Sequence, residues 1–163
     1  LEPDTPLVSA LHPSPNFGMR KKGLMPYLVI LHYTGLPTVE RSIEVLSDPR
    51  GQVSCHYVVD LDGRITQMVS EADRAWHAGV SCFEGRDNCN DFSLGVELEG
   101  TDDLPYTDAQ YARLVELTRQ LLDAYPALST QRIRGHSDIA PGRKTDPGAA
   151  FDWPRLHAEL KER

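Results

Sequence analysis

The sequence is poor in cysteine, which bears on the redox environment of the protein. Its 163 residues include three cysteines, Cys55, Cys82 and Cys89. An odd and low number argues against a disulfide framework, so we expect free thiols and a reducing compartment. A bridge between Cys82 and Cys89 is the alternative, and no pattern in the sequence supports it.

Long apolar runs and an excess of basic residues are also absent. The longest apolar run, 28–31, is far shorter than the ~20 residues that cross a bilayer, so we expect no membrane span. The sequence has no basic segment followed by an apolar one, so we expect no signal peptide. The formal net charge of -7 argues against a nucleic-acid partner, because a phosphate backbone requires a basic surface.

What is present is an average globular composition with a clear order of elements. The length and the 40% of hydrophobic residues predict one domain, 1–163. Prolines cluster in residues 1–26, which predicts an extended arm packed on that domain. Apolar or alternating runs predict strands at 27–32, 56–60, 64–69, 93–99 and 131–134. Amphipathic or capped segments predict helices that begin near Val39, Thr107 and Asp152.

Two connections in this order have distinct signals. Asp62-Gly63 predicts a tight hairpin turn, because glycine accepts a positive φ. Residues 70–92 lack periodicity and are expected to form a long loop, a feature that is often functional in a compact domain. Together the elements indicate an α/β fold with a mixed central sheet and flanking α-helices.

Three side chains have the composition of a metal site. His32 follows an apolar strand, His136 follows Gly135, and Asp146 lies in a loop rich in glycine and proline. Two imidazoles and one carboxylate suit Zn²⁺ and leave a coordination position open for water. Taken singly, each residue is more often an exposed and inert polar side chain. The wide separation of His32 from His136 means that spacing does not decide between these interpretations.

The motifs around these residues decide it through a resemblance. Residues 135–148, with the sequence GHSDIAPGRKTDPG, resemble the zinc and catalytic loop of the AmpD family of N-acetylmuramoyl-L-alanine amidases. Segments 28–32, 74–79 and 89–100 agree with the same family in order and spacing. The resemblance runs from about Pro13 to Leu160, which is nearly the whole chain.

The resemblance implies a fold, a metal and a set of roles. The family has a mixed sheet flanked by helices, which is also the fold of amidase-type phage lysozymes and peptidoglycan-recognition proteins. The family's zinc ligands match His32, His136 and Asp146, and its catalytic glutamate and lysine match Glu97 and Lys144. From the residues alone, Glu99 shares a strand face with Glu97, so spacing does not separate the two.

The implied substrate is a muropeptide or peptidoglycan, cut between N-acetylmuramic acid and L-alanine. We expect substrate contacts from Tyr33, Trp76, His77 and Arg86, since aromatic faces suit sugar rings and arginine pairs with carboxylates. We also expect a monomer in the bacterial cytoplasm, or in the periplasm if an export signal has been removed.

Two departures from the cytoplasmic members leave the end group of the substrate open. His32 is followed by Tyr33-Thr-Gly35 and a short connection, as in the secreted amidases of the superfamily. Asn88 stands where the cytoplasmic enzymes have arginine. The cytoplasmic members prefer 1,6-anhydro-muropeptides, whereas the broader group also accepts intact cell wall.

Two rival functions share the same fold or chemistry. A non-catalytic peptidoglycan-binding module would be expected to lack a zinc ligand, and none of the three is missing here. A zinc peptidase that acts on the stem peptide would use identical zinc chemistry, so the product must separate it from an amidase.

Overall fold

The computed structural model describes residues 1–161 of the chain. Its helices are α1 (Val39–Ser47), α2 (Asp108–Ala124), α3 (His136–Ile139) and α4 (Trp153–Lys161). The strands in the first half are β1 (Ala10–Leu11), β2 (Phe17–Met19), β3 (Leu28–Tyr33), β4 (Tyr57–Val59) and β5 (Ile65–Gln67). The remaining strands are β6 (Asp73–Ala75), β7 (Cys82–Phe83), β8 (Arg86–Asp87), β9 (Ser93–Leu98) and β10 (Ile133–Gly135).

A six-stranded mixed sheet organises the molecule. Its strand order is β1-β5-β4-β9-β3-β10. Strands β4, β9, β3 and β10 run parallel to one another, and β5 is antiparallel to β4. The predicted α/β class with a mixed sheet is therefore confirmed. Because β3, β9 and β10 are parallel, their carboxyl ends lie at one edge of the sheet, where ligands bind in open α/β folds.

Alternation along β9 divides the sheet into two faces with different partners. Leu94, Val96 and Leu98 belong to the main apolar core, which the sheet shares with α2 and α4. Each such buried aliphatic side chain contributes on the order of 1.5–3 kcal/mol by leaving water. Gly95 and Glu97 consequently point to the opposite face, as the alternation predicts. That second face holds two smaller apolar clusters, one containing Leu46 of α1 and the other Ile139 of α3.

Local sequence signals predicted several element boundaries correctly. The backbone N–H of Gln110 donates to Thr107 Oγ1 (3.1 Å), and the Thr107 N–H donates to Gln110 Oε1 (3.0 Å), which completes the predicted capping box of α2. Asp152 Oδ1 accepts from the Arg155 N–H (2.9 Å) at the start of α4. Gly63 has φ 82°, and β4 and β5 pair in antiparallel fashion around it.

Other boundaries differ from the prediction. The segment 70–92 is not structureless, because it contains β6, β7, β8 and a 3₁₀ turn at Cys89–Phe92. The strand expected at 131–134 begins later, after a 3₁₀ turn at Thr130–Arg132. The arm 1–26 has no helix, and it carries β1 and β2, which pair with β5 and β6. Strands of two or three residues are too short for a period-2 pattern to be visible.

Two expectations from composition concern the membrane and the thiols. Among residues 1–161, no helix combines the length and the hydropathy that crossing a bilayer requires. Cys55, Cys82 and Cys89 are all free, so the alternative bridge between Cys82 and Cys89 is not formed.

His56 is a structural histidine beneath the second face of the sheet. Its Nδ1 accepts from the Gly95 N–H (3.0 Å), and its Nε2 donates to the carbonyl of Asp73 (2.9 Å). Burial, together with the neighbouring charge of Arg20, lowers the pKa of His56 to about 3. The neutral ring thereby connects β9 to the segment that carries β6.

We expect His56 to make the protein less stable in mild acid. In the unfolded chain His56 is protonated below its ordinary pKa of about 6.5. In the folded chain it stays neutral until the pH falls to about 3, so protonation favours the unfolded state between these two values. Its contribution is present above pH 6.5 and is lost as the pH falls, by about 2 kcal/mol at pH 5. Urea unfolding of the metal-free protein at pH 7 and pH 5 measures this loss.

The matched variant is His56→Asn, whose side-chain oxygen can still accept from Gly95. Wild type should lose about 2 kcal/mol more than the variant between the two pH values, since other titrating groups are common to both proteins. An equal loss in both proteins would contradict the assignment of a neutral buried ring.

Candidate metal centre

The two histidines of the predicted ligand set meet at the carboxyl edge of the sheet. His32 is the penultimate residue of β3, and His136 immediately follows β10. The parallel register pairs Leu31 with Gly135, so the residues that follow them, His32 and His136, lie side by side. Both rings are buried, with exposed fractions of 2% and 4%.

Asp146 reaches the same point from the loop after α3. Its backbone carbonyl accepts from the Ser137 N–H (3.0 Å), which ties the loop to the start of that helix. Its Oδ2 lies 2.8 Å from His32 Nδ1 and 3.1 Å from His136 Nδ1. The two Nδ1 atoms are 3.0 Å apart. Three side chains that are distant in sequence therefore present one atom each to a common point.

The hydrogen bonds around the cluster show that these atoms suit a cation. His136 Nε2 lies 2.8 Å from the carbonyl of Ala78. A carbonyl only accepts, so Nε2 carries the proton and Nδ1 of the neutral ring has a free lone pair. Burial lowers the pKa of His32, which favours a neutral ring there too. Burial acts to raise the pKa of Asp146, but the close contacts with His136 and His32 outweigh it and hold that pKa below its usual range.

Two nitrogen lone pairs and a carboxylate oxygen form a donor set that fits Zn²⁺. Within residues 1–161, no other group of three His, Cys, Asp or Glu side chains converges in this way. The cluster His32, His136 and Asp146 can therefore hold a metal ion.

Glu97 lies beside this cluster on the neighbouring strand. It is the register partner of His32 in the β3–β9 pair, so the two side chains share one face of the sheet. It is buried, and its Oε2 has no hydrogen-bond partner. Burial raises the pKa of Glu97 well above its usual range; Asp146 raises it further, and Lys144 opposes the shift. A buried unpaired carboxylate costs stability, which is typical of a functional group.

Strand register separates Glu97 from Glu99, which the sequence alone did not. Glu99 lies just beyond the end of β9, and its Oε1 accepts from the Leu61 N–H (3.0 Å). Its carboxylate is therefore engaged at the surface. A prediction of which β9 residue pairs with His32 would have supplied the distinction.

A cleft of about 260 Å³ opens next to the cluster. Trp76, His136 and Lys144 are among the residues that line it. Arg143 also lines it, and its guanidinium donates to the carbonyls of Ala78 and Val80 at 2.8 Å each. Sequence reasoning missed Arg143, although its position next to Lys144 in the motif was an available signal. A smaller cavity of about 120 Å³ lies against Glu97 and α1.

The four residues predicted to contact substrate take different places. Trp76 is half-buried in the wall of the cleft. The Tyr33 hydroxyl donates to Asp102 Oδ2 (3.1 Å) and lies 3.0 Å from Thr145 Oγ1. His77 is buried, lines the cleft and contacts His32, with its Nδ1 2.9 Å from His32 Nε2. Arg86 lies on β8, where its guanidinium covers the stacked rings of Tyr27 and Phe92 rather than the cleft.

A buried cluster of two histidines and an aspartate, beside a buried glutamate and an open cleft, is typical of the class of metal-dependent hydrolases. The model of the family "N-acetylmuramoyl-L-alanine amidase" matches residues 22–149. The chain belongs to this family.

Individual relatives agree with this membership. The chain is 47% identical to the 1,6-anhydro-N-acetylmuramyl-L-alanine amidase AmpD of Enterobacter cloacae, with 94% of this chain and 91% of the relative covered. A crystal structure of selenomethionine AmpD is similar, with TM-score 0.83, 40% identity and 93% of each chain covered. The Escherichia coli amidase AmiD, in complex with anhydro-N-acetylmuramic acid-L-Ala-D-γ-Glu-L-Lys, has TM-score 0.77 at 32% identity, over 86% of this chain and 60% of that chain. The resemblance inferred from the motifs is confirmed.

Proposed function

We propose that this protein hydrolyses the amide bond between N-acetylmuramic acid and L-alanine in muropeptides, with zinc as its metal. The observation that carries the proposal is the convergence of His32, His136 and Asp146 beside Glu97. The 1,6-anhydro sugar appears in the name of the Enterobacter relative and in the ligand of AmiD. We therefore propose 1,6-anhydro-muropeptides as the preferred substrates, and cell-wall recycling as the context.

The metal would be held by Nδ1 of His32, Nδ1 of His136 and Oδ2 of Asp146. When bound, zinc supplies a nucleophile at neutral pH and polarises the amide carbonyl. The protein's contribution is to keep the His32 ring neutral, to keep the Asp146 carboxylate ionised and to hold all three ligand atoms in a buried position. The lowered pKa values of His32 and Asp146 agree with that task.

Glu97 is proposed as the general base and acid. Its carboxylate takes the proton of the attacking water and later delivers it to the nitrogen of the leaving L-alanine. A raised pKa suits both halves of this cycle, because the group must hold the proton between the two transfers. The free Oε2 is available for the first transfer.

Lys144 and the cleft residues are proposed to bind and polarise the substrate. Lys144 lines the cleft, and its charge acts on both Glu97 and His32. A cation at this position stabilises the negative charge that develops on the amide oxygen. Trp76 offers a face to the sugar ring. The Tyr33 hydroxyl is bonded to Asp102 and lies close to Thr145, next to Asp146. Arg86 lies outside the cleft, and we assign it no substrate contact.

Digestion of a mixed muropeptide pool, followed by mass spectrometry, tests the proposal. We expect release of stem peptides with a free L-alanine amino terminus, faster from anhydro-muropeptides than from intact sacculi. Addition of a chelator should abolish release. A new amine at a later stem-peptide residue would instead identify a zinc peptidase. Substrate binding without hydrolysis, unaffected by the chelator, would identify a recognition module.

The setting of this activity is also proposed. Three free thiols suit a reducing compartment, which in a bacterium is the cytoplasm. A monomeric state stays a prediction, and light scattering of the purified protein measures it directly.

A further inference from the structure

His77 forms the middle of a buried chain of hydrogen-bonding groups behind the metal cluster. Its Nδ1 lies 2.9 Å from Nε2 of His32, on the side of that ring away from the metal ligands. Its own Nε2 lies 2.9 Å from Oγ of Ser93. All three residues are buried, so water does not replace any of these partners.

The protons along this chain have one arrangement that suits a metal at His32. Ligation requires a lone pair on His32 Nδ1, so the single proton of the neutral ring must lie on Nε2. That proton is donated to Nδ1 of His77, which must then be an acceptor. The proton of neutral His77 consequently lies on its Nε2 and is donated to Ser93. The reverse arrangement would place a proton on His32 Nδ1, where it would exclude the metal.

The residue next to His77 performs the same task for the second histidine ligand. The carbonyl of Ala78 accepts the Nε2 proton of His136 (2.8 Å), which leaves the Nδ1 lone pair of that ring facing the cluster. Two consecutive residues therefore orient both histidines, one through its side chain and the other through its backbone.

The fold holds this pair of residues in place from two sides. Oδ1 of Asn90 accepts the backbone N–H groups of His77 (3.0 Å) and Ala78 (2.8 Å). Gly95 of β9 lies directly against the imidazole, where an added Cβ would be 2.5 Å from Cγ of His77. The ring thus fits closely against the bare backbone of the strand, and larger residues at position 95 are excluded.

We propose that the segment His77-Ala78, clamped by Asn90, is a positioning element that selects the metal-binding tautomer of both His32 and His136. In this role His77 acts through His32, and it also lines the cleft. Its predicted contact with the substrate stays a separate prediction. This inference rests on the proposed metal centre. Groups in such positions typically change metal affinity by 10–100-fold when they are removed.

The test is zinc affinity, measured by competition with a chromophoric chelator and independent of amidase activity. His77→Leu removes the acceptor for His32, and we expect zinc to bind about 10–100-fold more weakly. His77→Asn places an oxygen where Nδ1 was, and we expect it to restore most of the affinity. His12→Leu is the matched control, because His12 is exposed. We expect the zinc affinity of this variant to equal that of wild type.

A second measurement reads the tautomers directly in the wild-type protein. Nitrogen–proton correlation spectra of the imidazoles in the zinc-loaded protein should show His32, His77 and His136 all protonated at Nε2. A proton on Nδ1 of His77 would overturn the proposal, even if His77→Leu did not fold. Equal zinc affinity in His77→Leu and wild type, or no recovery in His77→Asn, would also overturn it. A wild-type protein that binds no zinc would reject the metal centre itself, which is a distinguishable result.

Discussion

Replacing Glu97 with glutamine should lower kcat by about 10²–10⁴-fold while zinc binding is retained. Glutamine has nearly the same size and can accept hydrogen bonds, but it does not take up and release a proton at neutral pH. Glu97 is not one of the three converging ligands, so the affinity for metal should change little. Steady-state hydrolysis of an anhydro-muropeptide and atomic absorption of the purified protein measure the two quantities.

Glu99→Gln is the matched control for this prediction. It makes the same chemical change two residues further along the chain, where the carboxylate is bonded to the Leu61 N–H. We expect its kcat to stay within about two-fold of wild type, because Glu99 is half-buried outside the converging cluster and its carboxylate is already engaged. Equal losses in both variants would show that negative charge near the cleft matters and that proton transfer at Glu97 does not.

Local patterns predicted the elements whose signal lies within a few residues. The apolar run before His32 predicted β3, and the capping residues Thr107 and Gln110 predicted the start of α2. The turn at Gly63 predicted the hairpin of β4 and β5. In each case the interactions that favour the element are between residues close in sequence, so the pattern of residues is enough to predict it.

Pairing between distant segments is what the residues alone did not predict. The choice between Glu97 and Glu99 depends on which residue of β9 lies opposite His32. The role of His77 depends on the close approach of its ring to Gly95, and that of Ala78 on a carbonyl turned toward His136. Family motifs placed residues in the site without specifying these contacts.

Tyr33, which directly follows His32, is one of the positions where the sequence departs from the cytoplasmic members, and the structure shows what it contacts. Its hydroxyl bridges Asp102, after β9, and Thr145, in the loop between Lys144 and Asp146. Thr145 also donates to Asp102 (2.9 Å). This cluster connects the loop that carries Asp146 to the strand that carries His32, and both residues are proposed metal ligands. The residue after His32 therefore affects the shape of the site.

Removing a proposed metal ligand should abolish both zinc binding and hydrolysis. His136→Ala deletes one of three converging donors and leaves the remaining two insufficient for a stable zinc site. In wild type, zinc at 100 times its Kd adds about 2.7 kcal/mol to the free energy of unfolding. For a chain of this length, that corresponds to a rise in Tm of roughly 5–10 °C.

Thermal unfolding with and without zinc measures this increment, and hydrolysis is measured in the same samples. We expect His136→Ala to show no rise in Tm on addition of zinc and no hydrolysis above background, with secondary structure retained. His12→Ala should keep both the zinc-dependent rise and full activity, because its side chain is exposed and outside the ligand set. A zinc-dependent rise that persists in His136→Ala would place the metal elsewhere. Full hydrolysis by metal-free His136→Ala would remove zinc from the mechanism and leave Glu97 to activate water without it.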